Sequence, residues 1–337
     1  MRKMKTFTYR VVNAFVNNDN SSNNNASNGE KMKGNPAAVI VLSSAESENT
    51  SREEKQAIAR KLGLSETAFV WEVVTRTEKS RKYFNIQWFS PTCEVGLCGH
   101  ASLASAACVF NDISADSGGK ESSGVEIVFV YDSGKGELVL ERCEESGAIT
   151  MSFPASPPAL IAEEEASRRM ELVREAFGDK NKTIEALPVY ENSIGDTFIY
   201  LDESSVPSMD EIYFDSNRKV DYEKLKEVGG RGVIVTALSN NERVDCDFVS
   251  RFFGPNIGID EDPVTGSAHC GLAPFYSSEK IIPPSATDEK FLRGYQKSTR
   301  GGLVLCRTIK DRVELRGFCN FDKTDAIEIE DIVMPAT

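Results

Sequence analysis

The sequence predicts an α+β protein of two similar halves, each a curved, mostly antiparallel sheet holding one small-residue helix. Three observations lead there. First, one motif occurs twice. It reads Trp88-Phe89-Ser90-Pro91, Glu94 and Cys98-Gly99-His100-Ala101 in one half. In the other it reads Phe252-Phe253-Gly254-Pro255, Glu261-Asp262-Pro263 and Thr265-Gly266-Ser267-Ala268. Gly99 and Gly266 stand half a chain length apart, the spacing of an internal repeat. Second, the run after each glycine is rich in Ala, Ser, Gly and Cys, and a helix that is thin and nearly uncharged all round is a buried one. Third, strand-like segments follow one another instead of alternating with helices, which argues against a doubly wound sheet. At 337 residues the chain is too long for one typical core and sufficient for two domains, expected at 1–146 and 147–337.

The elements follow in order. Residues 5–16 are rich in β-branched and aromatic side chains and read as a strand. Residues 17–33 form a polar, Asn/Ser-rich insertion with too little apolar surface to order itself, expected to be a mobile loop. Strands are expected at 37–42, 65–75 and 83–89. Between the first two lies a helix at 51–62, with Ile58 and Leu62 on one face and Gly63 as its stop. A small-residue helix is expected at 99–110, then a hairpin of 124–131 and 136–141 around Asp132-Ser133-Gly134. A strand at 149–153 opens the second half, and Pro154, Pro157 and Pro158 mark a loop. There follow a charged amphipathic helix at 163–177 and strands at 196–201, 232–238 and 247–253. The second small-residue helix is expected at 266–276, with late strands at 302–308, 312–316 and 326–332. The last of these can pair back with the first domain. A sheet curled round a helix leaves space only for small side chains, which accounts for both thin helices.

Composition narrows the partners. A net charge of -13 disfavours nucleic acid, whose phosphates would be repelled. No run of apolar residues is long enough to cross a membrane, and the basic start at 1–10 has no apolar core of a signal peptide. The eight cysteines form no C-x-x-C pair, a pattern that fits reduced thiols in the cytoplasm. With two histidines a His-rich zinc site is not expected, and there is neither a Walker-type loop nor a G-x-G-x-x-G between strand and helix. No metal and no cofactor are therefore expected.

The two helix starts are the first chemical feature. The opening amides of a helix lack internal partners and carry partial positive charge, and Gly99 and Gly266 let backbone approach a ligand closely. Converging on one cleft, they would hold a carboxylate or a developing oxyanion. Taken singly, each glycine reads better as a tight turn before a buried helix; the repetition favours function.

Four stretches are also family signatures: Gly34-Asn35-Pro36-Ala37-Ala38-Val39, Leu64-Ser65-Glu66-Thr67-Ala68-Phe69, Cys98-Gly99-His100-Ala101-Ser102-Leu103-Ala104 and Glu261-Asp262-Pro263-Val264-Thr265-Gly266-Ser267-Ala268. In this order they resemble the PhzF-like family of phenazine-biosynthesis-like isomerases, relatives of diaminopimelate epimerase. The segment from Gln296 to Arg300-Gly301-Gly302 resembles a late motif of the same family. The resemblance implies two pseudo-symmetric domains, each a barrel-like sheet wrapped around a central helix, with the site between them. It implies cofactor-independent proton transfer on a small carboxylate-bearing substrate, and a homodimer.

By the same resemblance Glu66 is the general acid/base, and burial between domains would raise its pKa towards neutrality. His100 and Asp262 line the site and position substrate or relay the proton; His suits this because its ordinary pKa lies near physiological pH. The alternatives are a helix cap for His100 and a turn cap for Asp262. Glu261 is a weaker candidate beside it. Cys98, Gly99, Thr265, Gly266 and Ser267 are expected to line the substrate site, where Gly99, Gly266 and Ser267 would offer donors to a substrate anion. His269, inside the second helix, reads as structural. Cys98 matches the cysteine that diaminopimelate epimerase and proline racemase place before the helix glycine, but Thr265 stands at the second such position. A threonine hydroxyl is too weak an acid to complete a two-thiol pair, so Cys98 reads as a small, half-buried filler, with a thiol of lowered pKa at the helix start as the alternative. Two other readings remain: a Cys98-dependent amino-acid racemase or dehydratase, and a carboxylate-binding protein without catalysis.

Overall fold

The computed structural model describes residues 4–17, 32–78, 80–116, 124–179, 188–201, 212–239, 245–278, 281–282 and 290–330. The fold is α+β, and contacts divide the chain into two units. Met1–Val16, Asn35–Ser152 and Arg316–Thr337 form the first; Asn17–Gly34 and Phe153–Leu315 form the second.

The first unit contains β1 (Met4–Val16), β2 (Asn35–Leu42), α1 (Ser44–Glu48), α2 (Arg52–Leu62), β3 (Glu66–Thr77), β4 (Arg81–Phe89), β5 (Glu94–Val95), α3 (Gly99–Asp116), β6 (Glu126–Tyr131), β7 (Gly136–Arg142) and most of β8 (Ile149–Pro154). Successive pairings run β1 to β2, β3, β4, β6, β7 and β8. A late strand, β17 (Arg312–Glu330), pairs with both β8 and β1 and closes an eight-stranded barrel. Closure removes the exposed edges that an open sheet presents. The β2–β3 and β4–β6 pairs are parallel. Accordingly β2 is apolar along nearly its whole length, as a strand covered on both faces must be. The connection between β2 and β3 carries α1 and α2, the latter started by a Ser51/Glu54 capping box and ended by Gly63 at φ 65°.

Helix α3 explains the small residues. Every side chain from His100 to Phe110 is buried, so this stretch has no solvent face; exposure returns only in the last turns, at Asn111, Ala115 and Asp116. The helix runs on past the expected end at Phe110, because Ile113 is buried and Asp112 accepts two 2.7 Å hydrogen bonds from Arg10 of β1. Enlarging one of these buried alanines should overpack the barrel. Ala104→Leu is expected to cost about 1–3 kcal/mol, read as a lower urea midpoint with an unchanged slope.

The second unit contains β9 (Ala159–Leu160), α4 (Glu163–Phe177), β10 (Val189–Glu191), β11 (Asp196–Leu201), α5 (Tyr222–Val228), β12 (Gly232–Leu238), β13 (Phe248–Gly254), β14 (Ile259–Asp262), α6 (Gly266–Ser278), β15 (Leu292–Gln296) and β16 (Gly302–Ile309). Its strands pair in the order β9, β10, β11, β12, β13, β15, β16. The parallel pairs β11–β12 and β13–β15 fall where the first unit has β2–β3 and β4–β6, so the repeat extends to topology. Helix α6 is thin for a visible reason: a Cβ on Gly271 would lie 2.5 Å from the Phe198 ring. Residues 268–276 are buried throughout.

Two expectations change. The strands foreseen at 312–316 and 326–332 belong to one continuous β17 up to Glu330; residues 331–332 lie outside the described residues. Its middle holds Gly317, Asn320, Asp322 and Asp325, which read as turn residues, yet the backbone pairs along β1, with bulges at Val11/Val12 and Ala14/Val16. Gly317 is required there, since a Cβ would meet the Phe15 ring at 2.5 Å. The strand at 149–153 does not open the second unit; β8 pairs with β7, and its residues to Ser152 belong to the first. Of the insertion at 17–33, residues 18–31 lie outside the described residues. Met32 is buried in the second unit's core.

Candidate active site

The repeated motif is a strand, a short return strand and a helix. In the first unit β4 ends at Phe89, the chain turns through Pro91, and β5 pairs back with Phe89 opposite Glu94. Helix α3 then starts at Gly99. In the second unit β13 turns through Pro255, β14 pairs back with Phe252 opposite Asp262, and α6 starts at Gly266.

At the first helix start five polar side chains meet. Glu66 opens β3, paired opposite Ala37 of β2, and is 7% exposed. His100, 5% exposed, sets Nε2 3.2 Å from Glu66 Oε2 and 3.3 Å from Ser65 Oγ. Its Nδ1 lies 3.3 Å from Asn35 Nδ2 and 3.4 Å from Cys98 Sγ. Ser65 Oγ is also within reach of Asn35 Oδ1 and the Pro36 carbonyl, at 3.3 and 3.2 Å. Thus Glu66, His100 and Cys98 of the expected set come together, with Gly99 between the last two.

The network fixes the state of the imidazole. Burial pushes His100 down to about 3, so the ring is neutral at physiological pH and carries one N–H. The Asn35 amide nitrogen can only donate, which makes Nδ1 the acceptor and leaves the proton on Nε2. His100 therefore donates to the Glu66 carboxylate. The expectation that His100 titrates near physiological pH does not hold: the barrel interior that buries α3 makes its charged form too costly.

The second helix start is assembled differently. Asp262, 7% exposed, accepts a 2.5 Å hydrogen bond from Thr265 Oγ1. Gln296 of β15 accepts from the Thr265 backbone N–H at 2.8 Å and donates to the Asp262 carbonyl at 2.7 Å and to Thr265 Oγ1 at 3.0 Å. One opening amide of this helix is thus already engaged by protein. Thr265 works as a cap of the turn and not as an acid. Ser267 Oγ accepts from Arg231 at 3.1 Å, and Arg231 forms a two-point pair with the fully buried Asp196 at 2.8 and 2.6 Å. Glu261, the weaker candidate, is engaged by protein: both its oxygens bind the buried Arg251 at 2.7 and 2.9 Å.

Asn35, Ser65, Gln296 and Arg231 are site neighbours that the sequence did not single out. The first three stand within the quoted family stretches, so a signal existed. Arg231 had none. Among the described residues, Glu66, Cys98 and His100 also offer metal-ligand atoms that lie within 4.8 Å of one another.

His269, in α6, is structural as expected. Its Nδ1 donates to the Thr265 carbonyl at 2.8 Å, its ring packs tilted against Phe248, and its Nε2 has no hydrogen-bond partner among the described residues. Burial pushes it down to about 4, against a smaller opposite effect of the Thr265 carbonyl. A depressed histidine keeps the folded state neutral while the unfolded chain takes up a proton below its ordinary 6.5. Its contribution is therefore present above pH 6.5 and is lost as pH falls from there towards about 4. The urea midpoint is expected to drop between pH 7.5 and 4.5, with a slope of up to ~1.4 kcal/mol per pH unit from this group. The drop should be smaller in His269→Gln. Glu165, held at about 2 by Arg168 and Arg169, loses its part only below its ordinary 4.5, so above that pH it does not contribute to the drop.

Comparison with known proteins agrees with this architecture. Residues 26–320 match the profile of the phenazine biosynthesis-like (PhzC-PhzF) protein family. An uncharacterized isomerase of Halalkalibacterium halodurans is 33% identical over 93% of this chain and 96% of its own length. The phenazine biosynthesis-like domain-containing protein 1 of Mus musculus is 34% identical over 85% of this chain and 90% of its own. The crystal structure of a PhzF-family phenazine biosynthesis protein from Enterococcus faecalis superimposes with a TM-score of 0.68 at 30% identity, covering 96% of this chain and 99% of that one. Duplicated topology, two helix starts at glycine and a match over most of its length together make the chain an isomerase belonging to the phenazine biosynthesis-like family.

Proposed function

We propose that the chain moves a proton between carbons of a small carboxylate-bearing metabolite, with Glu66 as general acid/base and no cofactor in the transfer. The observation that carries this is the buried Glu66 carboxylate facing the Nε2–H of a neutral His100. A carboxylate in such a place can take a proton from an activated carbon and return it elsewhere. His100 keeps the carboxylate oriented through each transfer and does not itself store the proton. Gly99, Gly266 and Ser267 are assigned to the substrate's carboxylate or its developing oxyanion, and Asp262 to orienting the substrate. Ser267 suits that role because Arg231 occupies a lone pair on its oxygen and leaves its O–H to donate. Ser267→Ala is expected to raise KM more than it lowers kcat. Reduced thiols and the family resemblance are the grounds for placing the chain in the cytoplasm as a homodimer; light scattering tests the dimer.

The test is solvent-deuterium incorporation. The protein is incubated in heavy water with a panel of small acids, including dihydroaromatic amino acids and α-amino acids, and mass spectrometry reads the label. Label that disappears in Glu66→Gln and persists in Cys98→Ser supports the proposal. A Cys98-dependent racemase is the second reading, favoured by the 3.4 Å approach of Cys98 Sγ to the acceptor nitrogen of His100. Label lost in Cys98→Ser and kept in Glu66→Gln would establish that reading instead.

A further inference from the structure

We propose that Glu66, Cys98 and His100 form a binding site for a thiophilic divalent cation, zinc above all, and that the bound cation blocks proton transfer. The sequence argued against zinc because it holds only two histidines, but a mixed set of one imidazole, one thiolate and one carboxylate needs only one. The three donor atoms lie within 4.8 Å of one another on buried side chains. The best-placed pair is Cys98 Sγ and His100 Nδ1, 3.4 Å apart. With Zn–S near 2.3 Å and Zn–N near 2.0 Å, two ligands of a tetrahedral zinc stand about 3.5 Å from each other.

The protonation pattern favours the same nitrogen. Nδ1 is the acceptor of the ring and carries the lone pair a metal requires, while Nε2–H stays against Ser65 Oγ at 3.3 Å. A ligating histidine characteristically donates its other ring proton to such a neighbour, which holds the ring in place. Asn35, now 3.3 Å from Nδ1, gives way to the cation. Glu66, whose Oε2 now lies 3.2 Å from Nε2, has to leave that nitrogen and turn towards the Nδ1 side to complete three protein ligands, leaving a fourth position for water. Binding converts the Cys98 thiol to thiolate and releases that proton to solvent. The cation then occupies the carboxylate lone pair that would otherwise take a substrate proton. The blocking effect rests on the role proposed for Glu66; the binding does not.

Cobalt(II) chloride provides the test, because a thiolate bound to cobalt adds a charge-transfer band in the near ultraviolet. Titration of the full chain is expected to give a band that saturates at one equivalent and is displaced by zinc. Cys98→Ser should abolish it, with Cys93→Ser, an exposed cysteine whose sulfur contacts Ser90 and Thr92, as the control that keeps it. His100→Gln and Glu66→Gln should keep a weaker-binding band. Loss of even an outer partner of a ligand costs roughly 10–100-fold in affinity, so at least about tenfold is expected for each. Unfolding midpoints of the variants separate lost ligands from lost fold. A band that survives Cys98→Ser, or an affinity that His100→Gln and Glu66→Gln leave unchanged, overturns the site. In the deuterium assay zinc should abolish label and EDTA restore it; label that persists with zinc bound overturns the block. A Cys98-dependent band in a protein that incorporates no label from any acid that binds it supports the metal site and counts against the proton-transfer reading.

Discussion

Glu66→Gln should reduce solvent-deuterium incorporation by roughly 10²–10⁴-fold, the usual contribution of one general acid/base. The substitution keeps shape and burial and removes only the ability to accept a proton. The amide oxygen can still accept from His100 Nε2–H, so the Asn35–Ser65–His100 network has no reason to rearrange. Removing a charge from a buried position should leave the unfolding midpoint unchanged or raise it. Loss of label with an intact midpoint is therefore the expected pair of results. His100→Gln should be milder in rate, because the imidazole positions the carboxylate and does not carry the proton. Its effect should not follow a histidine titration near pH 6.5, since burial holds the ring neutral down to about 3. A bell-shaped profile that collapses on His100→Gln would show instead that the imidazole relays the proton.

The largest expected loss of stability comes from the second unit. Arg251 is 1% exposed, pairs through two nitrogens with Glu261, donates to the carbonyls of Tyr213 and Asp215 at 2.9 and 3.2 Å, and stacks 4.8 Å from the Phe253 ring. Arg251→Met leaves the Glu261 carboxylate with its main partner gone in a desolvated place. Breaking a buried pair from one side costs about 3–5 kcal/mol. Arg251→Lys should recover little, because one ammonium cannot satisfy the planar two-point contact and both carbonyls. The double variant Arg251→Met/Glu261→Leu should regain much of the loss, since apolar replacements remove the uncompensated charge. Urea unfolding of the three variants decides this. A single variant as stable as the double one would mean that Glu261 finds water or another partner when Arg251 is gone. Activity should fall with Arg251→Met as well, because Glu261 adjoins Asp262 in β14.

Much of this molecule was legible because the constraint that shapes it is simple. A helix enclosed by a barrel has to be thin, and runs such as Ala101 to Ala107 say so in the sequence. Strands buried on both faces have to be apolar, as β2 is. The helix starts were legible as a repeated Gly in a repeated setting. What escaped was set by approach in three dimensions. The middle of β17 looks like a turn until β1 provides its hydrogen bonds. Arg231 stands far from Ser267 in sequence, and only the parallel pairing of β11 and β12 brings it near the start of α6 with Asp196. The charge state of His100 follows from the barrel around it and not from its neighbours along the chain. Thr265 looked like a failed acid and proved to be one member of a cap with Asp262 and Gln296.

The long strand β17 also sets a timetable. A ribosome releases β1 first and its partner residues 316–330 last among the described strands. At roughly 5–20 residues per second, some 15–60 s separate the two. The β1 edge stays open for that whole interval and the β8 edge from its own synthesis onward, while every residue of the second unit has been made by Leu315. Open edges are templates for pairing with other chains. The nascent first unit is therefore the part most in need of a chaperone. A circular permutant that brings residues 316–330 to the front of the chain should fold with less aggregation than the natural order.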